Sequence, residues 1–590
     1  MAESDEPKSL GLALSGGGLR AAFFHVGVLA RLADLRLLSS IRVLSTVSGG
    51  SIVGALLYLH LKRRYEGEQS SDRQIVEEIL RALTRAGKQD LRTSAFRNPI
   101  KSLRMGLAPG FSRSDRMAEL YERLLYRPFA PSPPQALGRR LVSAIGDTTA
   151  FWRGRPRVRL RDLQISGASD PPPLQLMVNA TSLNTGHGWR FEATMMGEPR
   201  RGPVRRVLDD NERLQRIRFA DEPPQRFAEF DLARAVAASA CFPGFEPLPL
   251  SGLYEDRKVE LVDGGIFDNQ GVHALRHRDC SHYVVSDGAG RLEDARRPHT
   301  RVLAVLGRAY GIAAGRVRED QLLELLGAAP SSAIVDIKGG CAGAPVPWQG
   351  RGNPADDEEE NFVELPGLDA LDLPTSSSAW NVHPEIQLLL SELRTDLDHF
   401  SEVERHSLML AGYSNAVVQL ERPGGIAQQF EVPESSEQHW CFQDVAPLMD
   451  PPNGNLSARY VRQLRAGRRR LFRLPSLLPV SVVVPVGLVA AAAIVWGYRS
   501  VARDRDDQLW ILDSVWQLFK SDVPAAVLII LALLWTIPML VPPAYKERSD
   551  YFGRALMWGI LPFLLWPVVL LQLYLVRPLY QWFGRVSRLL

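Results

Sequence analysis

Cysteine is scarce. Cys241, Cys280, Cys341 and Cys441 are the only four in a chain of 590 residues, widely spaced and without a CxxC. That argues against a disulfide framework or a zinc site, and a reducing compartment is the simpler expectation. Net charge is small as well, at +4, so bulk electrostatics give no reason to expect a nucleic-acid partner. The opening MAESDEPKSL is acidic and polar, where a secretory leader would be basic and then apolar. The first domain is therefore expected to stay in the cytosol. No internal repeat is visible at periods of about 20 to 50 residues. Apolar material is not lacking: 45% of residues are hydrophobic, which excludes wholesale disorder.

Charge is absent from three long intervals near the C-terminus: between Arg473 and Arg499, between Asp522 and Lys546, and between Arg554 and Arg577. Each is long enough for a helix to cross a hydrocarbon core of about 30 Å. The expectation is an integral, multi-pass protein with a membrane domain at 477–590 and spans at about 477–497, 523–543 and 555–576. A basic linker at 446–476, carrying Arg459, Arg462, Arg465, Arg468, Arg469, Arg470 and Arg473, would precede them. Between the first two spans the basic residues are offset by Asp504, Asp506, Asp507, Asp513 and Asp522. The positive-inside rule then places the large N-terminal part in the cytosol and the C-terminus outside. In LWILDSVWQLF, Leu509, Leu512, Val515, Trp516 and Phe519 share a helical face, which suits the membrane interface.

The part before the linker, residues 8–445, reads as α/β. Apolar Leu10 to Leu14 is followed by Ser15, Gly16, Gly17 and Gly18, then by helical spacing from Arg20 to Leu35. Ile41 to Thr46, a turn at Val47 to Gly50 and a helix from Ser51 to about Leu61 repeat the unit. Strand, tight turn and helix in alternation predict a parallel sheet whose carboxyl-end loops form the site. A charged, irregular stretch at about 65–170 reads as a helical insertion. Strand signals resume at LQLMVNAT, KVELVDGG and SHYVVSDG, and helices return from Pro384 to about Leu420. Acidic ADDEEEN reads as a solvated loop.

Three glycines after a strand can aim backbone N–H groups at a developing anion or simply permit a tight turn. No GK[ST] follows, so a phosphate loop is disfavoured. Ser48 in LSTVSGGSIVG sits at a strand–turn–helix elbow, which exposes a nucleophile above a sheet. The same serine would also serve as a helix cap, and the first position of the GxSxG pattern is Thr46. A nucleophilic serine needs a base. His273, His277 and His282 are candidates, but none lies at an obvious strand end. His273 and His277, four apart in GVHALRHRD, read as a helical surface, and His25 as packed. Asp263 in VELVDGGIFDNQGV does lie at a strand end, and a carboxylate can act as base where burial raises its proton affinity.

Taken together, SGGGLR, STVSGGS and DGG, with ARAVAASACFPGFEP ahead of the aspartate, resemble the glycine-rich loop, nucleophile elbow and acidic motif of the patatin-like phospholipase family. The resemblance covers about residues 8 to 290. It implies a patatin-like α/β hydrolase domain with a Ser/Asp dyad: Ser48 as nucleophile, Asp263 as general base. The N–H groups of Gly16, Gly17 and Gly18, with Gly49 as a further candidate, would hold the oxyanion, with no metal or cofactor required. Arg20 would brace the loop or meet a phosphate headgroup, the brace being favoured. Asn179 and Asp287, at other strand ends, are pocket-lining candidates for which a structural role is favoured. The implied substrate is a fatty-acyl ester of a phospholipid or lysophospholipid. The alternatives are an acyltransferase using the same dyad and a decayed membrane scaffold or signalling protein.

Overall fold

Five short apolar runs become the parallel centre of a ten-stranded sheet in the computed structural model. It describes residues 8–98, 101, 111–131, 156–167, 172–199, 209, 211–220, 229–242, 246–278, 280–292, 294–328, 332–339, 341, 381–432, 439–469, 473, 477 and 566–590. The strands are β1 (Leu10–Leu14), β2 (Ile41–Val47), β3 (Gln175–Ser182), β4 (Gly188–Phe191), β5 (Met195–Gly197), β6 (Ile217–Arg218), β7 (Leu248–Leu250), β8 (Val259–Asp263), β9 (His282–Asp287) and β10 (Ala333–Asp336). Their order is β10-β9-β1-β2-β3-β4-β5-β6, with β8 also on β3 and β7 on β8. Pairing is parallel from β10 to β3 and antiparallel beyond. β1 and β9 are buried along their whole length, as expected of strands covered on both faces.

The helices that matter here are α1 (Gly18–Asp34), α2 (Gly49–Tyr65), α3 (Asp72–Gly87), α4 (Arg113–Tyr121), α5 (Leu232–Ser239), α6 (Val272–Leu275), α7 (Val302–Ala328), α8 (Pro384–Ser391), α9 (Glu402–Leu420) and α10 (Ala458–Gly467). α1 packs on α9 at a close crossing: a Cβ on Gly27 would fall 1.9 Å from the Met409 carbonyl, and one on Gly412 2.1 Å from the Phe24 carbonyl. Only glycine permits that approach. A second apolar cluster joins Ala13, Val43, Met177 and Val285 of the sheet to Val272 and Leu275 of α6 and Leu322 and Leu325 of α7.

Within the region read as an insertion, α3 and α4 are helical as expected, and residues 132–155 lie outside the described residues. The helical stretch expected from Pro384 to Leu420 is two helices, α8 and α9, separated by residues 392–401. The antiparallel extension β4 to β6, and the edge strand β10, had no reading in the sequence.

Two compact units are present: Met1–Arg92 with Ser112–Arg468 and Gln581–Leu590, and Thr93–Phe111 with Arg469–Tyr580. The first corrects the boundary at 445. α10 buries Tyr460, Val461 and Leu464 in this unit, while Arg459, Arg462 and Arg465 face solvent. Much of the expected basic linker is thus an amphipathic helix of the folded unit.

The three charge-free intervals lie outside the described residues, save 477 in the first and 566–576 at the end of the third. Among the described residues no helix is long and apolar enough to cross a membrane. The C-terminal tail packs on the first unit. The Val403 N–H donates to the Gly584 carbonyl (2.9 Å), the Val586 N–H to Glu402 Oε2 (3.1 Å), and Gln581 Nε2 to the Lys88 carbonyl (3.2 Å).

Candidate active site

β2 ends at Val47, opposite Asn179 of β3; the next residue of β3, Ala180, pairs with Asp263 of antiparallel β8. β8 takes over the edge of β3 where β2 leaves it, so the ends of the two strands meet. Ser48 and Asp263 are the residues at that junction. Register, not sequence proximity, brings them together.

Ser48 has φ 50° and ψ −117°, a conformation that costs a non-glycine residue about 1–3 kcal/mol and persists only where its surroundings enforce it. The enforcement is a chain of hydroxyls. The Ser48 N–H donates to Ser239 Oγ (2.9 Å), and Ser239 Oγ donates to the Asn179 carbonyl (2.6 Å). Ser51 Oγ lies 2.8 Å from Ser239 Oγ and donates to Thr46 Oγ1 (3.0 Å), which donates to the Met177 carbonyl (3.1 Å). Thr46, where the motif has glycine, is accommodated by a different glycine. A Cβ on Gly54 would stand 2.3 Å from Thr46 Cγ2, so the threonine methyl occupies room that α2 leaves.

The carboxylate of Asp263 accepts from the Gly265 N–H (2.8 Å) and lies near enough to the Ser48 hydroxyl for that hydroxyl to draw its proton affinity down. Burial pushes it up to about 6, against the downward pull of those two donors. A carboxyl so poised takes a proton from a hydroxyl far more readily than a solvated one does.

The glycine loop touches the elbow. A Cβ on Gly49 would lie 2.0 Å from the Gly18 carbonyl, and one on Gly16 would lie 3.3 Å from Ser48 Cβ and 2.2 Å from Asn269 Oδ1. Gly17 and Gly18 have φ of 132° and 60°, open to glycine at little cost. The N–H of Gly16 donates to the Asn269 carbonyl at 2.9 Å. The N–H groups of Gly17, Gly18 and Gly49 have no partner among the described residues. They are the donors left to face a developing anion.

Arg20 is buried, with Nη1 donating to the carbonyls of Ser391 (2.5 Å) and Leu393 (2.8 Å) and Nη2 to that of Gly288 (3.1 Å). It ties the start of α1 to two loops, which is the bracing role. Asn179 donates from Nδ2 to Ser45 Oγ (3.1 Å) and the Thr46 carbonyl (3.0 Å), fixing the end of β2. Asp287 is held by Arg318 Nε (2.6 Å) and the Ala289 N–H (3.0 Å), and Arg318 keeps its carboxyl below the usual range despite burial.

The histidines are occupied elsewhere. His273 is buried, not on a helical surface: its ring meets Phe267 edge-on, its Nδ1 lies 3.2 Å from Arg190 Nη2, and its backbone N–H donates to Asp268 Oδ2 (2.8 Å). His277 Nδ1 lies 2.6 Å from the His273 carbonyl. His282 sits against Phe430 and Ser281. His25 is packed as expected, with burial pushing it down to about 4. Its Nε2 donates to the Ser15 carbonyl (3.0 Å) and its Nδ1 accepts from Ser286 Oγ (2.7 Å), so it supports the strand below the glycine loop.

Three supporting residues escaped the sequence reading. Ser51 follows the elbow glycines directly but reads there only as the start of a helix. Ser239 lies in ARAVAASACFPGFEP, a block noted for its resemblance without a role for its serine. Asn269, which wedges between Gly16 and Gly265, carries no local signal.

Comparison with known proteins bears on the domain and its reaction class. Residues 12–276 match the family model for patatin-like phospholipase. Among solved structures, that of VipD from Legionella pneumophila is similar over 99% of this chain and 91% of its own, at 12% identity and a TM-score of 0.24, too low a likeness to carry an argument. No curated protein matches. The chain carries a patatin-like phospholipase domain and is a lipid acyl hydrolase.

Proposed function

We propose that the chain hydrolyses fatty-acyl esters of phospholipids or lysophospholipids through a Ser48–Asp263 dyad and an acyl-enzyme. The observation that carries this reading is the register of β2 and β8 on β3, which brings Ser48 at its strained elbow beside a buried Asp263 carboxylate whose proton affinity is raised. Asp263 takes the Ser48 proton as Oγ attacks the ester carbonyl carbon. The N–H groups of Gly17, Gly18 and Gly49 stabilise the oxyanion. The tetrahedral adduct collapses, the alcohol leaves with the proton from Asp263, and a water activated by the same carboxylate releases the fatty acid. Purified protein incubated with a panel of lipids, with products identified by mass spectrometry, tests the assignment. Free fatty acid and a deacylated lipid are expected, and acyl transfer to an added alcohol in place of water would favour the acyltransferase alternative.

Attachment to a membrane through the apolar intervals between Arg473 and Arg577 completes the proposal. Because Arg468 and Gln581 both belong to the first unit, an even number of crossings, with the catalytic unit and the C-terminus both cytosolic, suits the tail packing. The arginines near Arg468 would face anionic lipid, each basic residue contributing about 1 kcal/mol of attraction.

A further inference from the structure

α7 is too long for the sheet it crosses. As the connection from β9 to parallel β10 it starts at the carboxyl ends of the strands, the end that carries Ser48 and Asp263. Its 27 residues span about 40 Å, roughly twice the length of a six-residue strand. The point where it leaves the sheet is fixed by Arg318, which pairs with Asp287 at the end of β9 and Asp336 at the end of β10. After Arg318 the helix is anchored, with Leu322, Leu325 and Leu326 buried and Glu324 paired with Arg276. Before it, residues 302–317 project beyond the sheet for about 24 Å.

One face of that projecting half is apolar and exposed, while Ala304, Arg308, Gly311 and Ala314 on the other are half-buried. Val302 is 74% exposed, Leu306 60% and Ile312 51%, with Val305, Tyr310 and Val317 exposed beside them. Single exposed apolar residues are ordinary, but a contiguous set marks an interaction surface. Its charge has one sign: from Ala295 to Arg318 every charged residue is arginine, and Arg296, Arg297, Arg301 and Arg316 make no ion pair among the described residues.

We infer that residues 302–317 of α7 dock on an anionic lipid surface, lying in the interface with the apolar residues inserted and the arginines against headgroups. About 24 Å is too short to span a hydrocarbon core of about 30 Å but suits a helix lying in the interface. Arginine without carboxylate selects an anionic surface over a neutral one. The docked helix would hold the carboxyl end of the sheet, and with it the dyad, against the bilayer that supplies the substrate. The inference rests on the lipid-hydrolase reading for its purpose, but not for its test.

Full-length Ser48→Ala protein, in nanodiscs of phosphatidylcholine with or without about one-third phosphatidylglycerol, is followed by hydrogen exchange at residues 302–317. Slowed exchange is expected in the anionic discs, and it should be lost in Leu306→Asp/Ile312→Asp. In the Ser48 background the same pair should lower hydrolysis of disc lipid at least about tenfold, the equivalent of one buried side chain's transfer, and leave a soluble short-chain ester within about twofold. Unchanged exchange in anionic discs would overturn the inference. So would protection that follows protein concentration without lipid, because the helix would then bind a second copy. A parallel loss on the soluble ester would make it a packing element. Hydrolysis surviving Ser48→Ala would refute the dyad and leave the exchange result standing.

Discussion

Asp263 pairs with Ala180 one step along β3 from the Val47–Asn179 pair, and this register sets its carboxylate against the hydroxyl of Ser48. On the proposed reading the position serves the reaction at the expense of stability. A carboxyl raised from 3.8 to about 6 binds more protons folded than unfolded between those values, so its contribution to stability falls as pH rises through that window. Asp263→Asn should therefore unfold at higher temperature than the native chain at pH 7, by the equivalent of about 1–3 kcal/mol, while losing ester hydrolysis. Thermal melts at pH 4 and pH 7 check this, with the difference between the two proteins shrinking at the lower pH.

Activity should follow the same group in the opposite direction. The base is competent only when ionised, so kcat/KM on a soluble ester should fall as pH drops through about 6. A profile governed instead by a group near the usual histidine value, and abolished by His273→Ala or His277→Ala, would point to a triad.

Gly17 tests the loop. At φ 132°, with a Cβ that would lie 2.9 Å from the Gly288 carbonyl, Gly17→Ala should displace an oxyanion donor and lower the rate on a soluble ester about 10²-fold. A lowered melting temperature with an unchanged rate would make the loop a turn and nothing more.

Thr46 and Gly54 should behave as a coupled pair. Gly54→Ala puts a methyl 2.3 Å from Thr46 Cγ2 and should destabilise the elbow by about 1–3 kcal/mol. Thr46→Ser removes that methyl and keeps the hydroxyl between Ser51 and Met177. The double variant should recover most of the loss in a denaturant titration, and additive losses would show that the contact is not the cause.

Topology is open to labelling. Cysteines placed at the exposed positions Arg462 and Ser587 should both resist an impermeant thiol reagent in intact cells and both react after permeabilisation. Opposite behaviour would require an odd number of crossings and the undocking of the tail from α9.

Local features were legible because they rest on local chemistry. The alternation of apolar runs with tight turns gave the first two strand–helix units to within a few residues, and Ser48 and Asp263 stand at strand ends that the pattern itself marks. What depended on pairing was not legible. That β8 runs antiparallel on β3, that Ser239 reaches the Ser48 N–H from 191 residues away, and that Gly16 spends its N–H on Asn269 are matters of register. The Gly584 tail resting on Val403 is of the same kind, a long-range contact with no local signal.

The most direct test of the dyad is to trap the acyl-enzyme. Rapid acid quench of the full-length protein turning over a slow ester, followed by peptide mass spectrometry, should find the acyl group on the peptide containing Ser48. It should be absent in Ser48→Ala and should form far more slowly in Asp263→Asn. An adduct on another residue, or one that forms on Ser48 at the native rate in Asp263→Asn, would contradict the account.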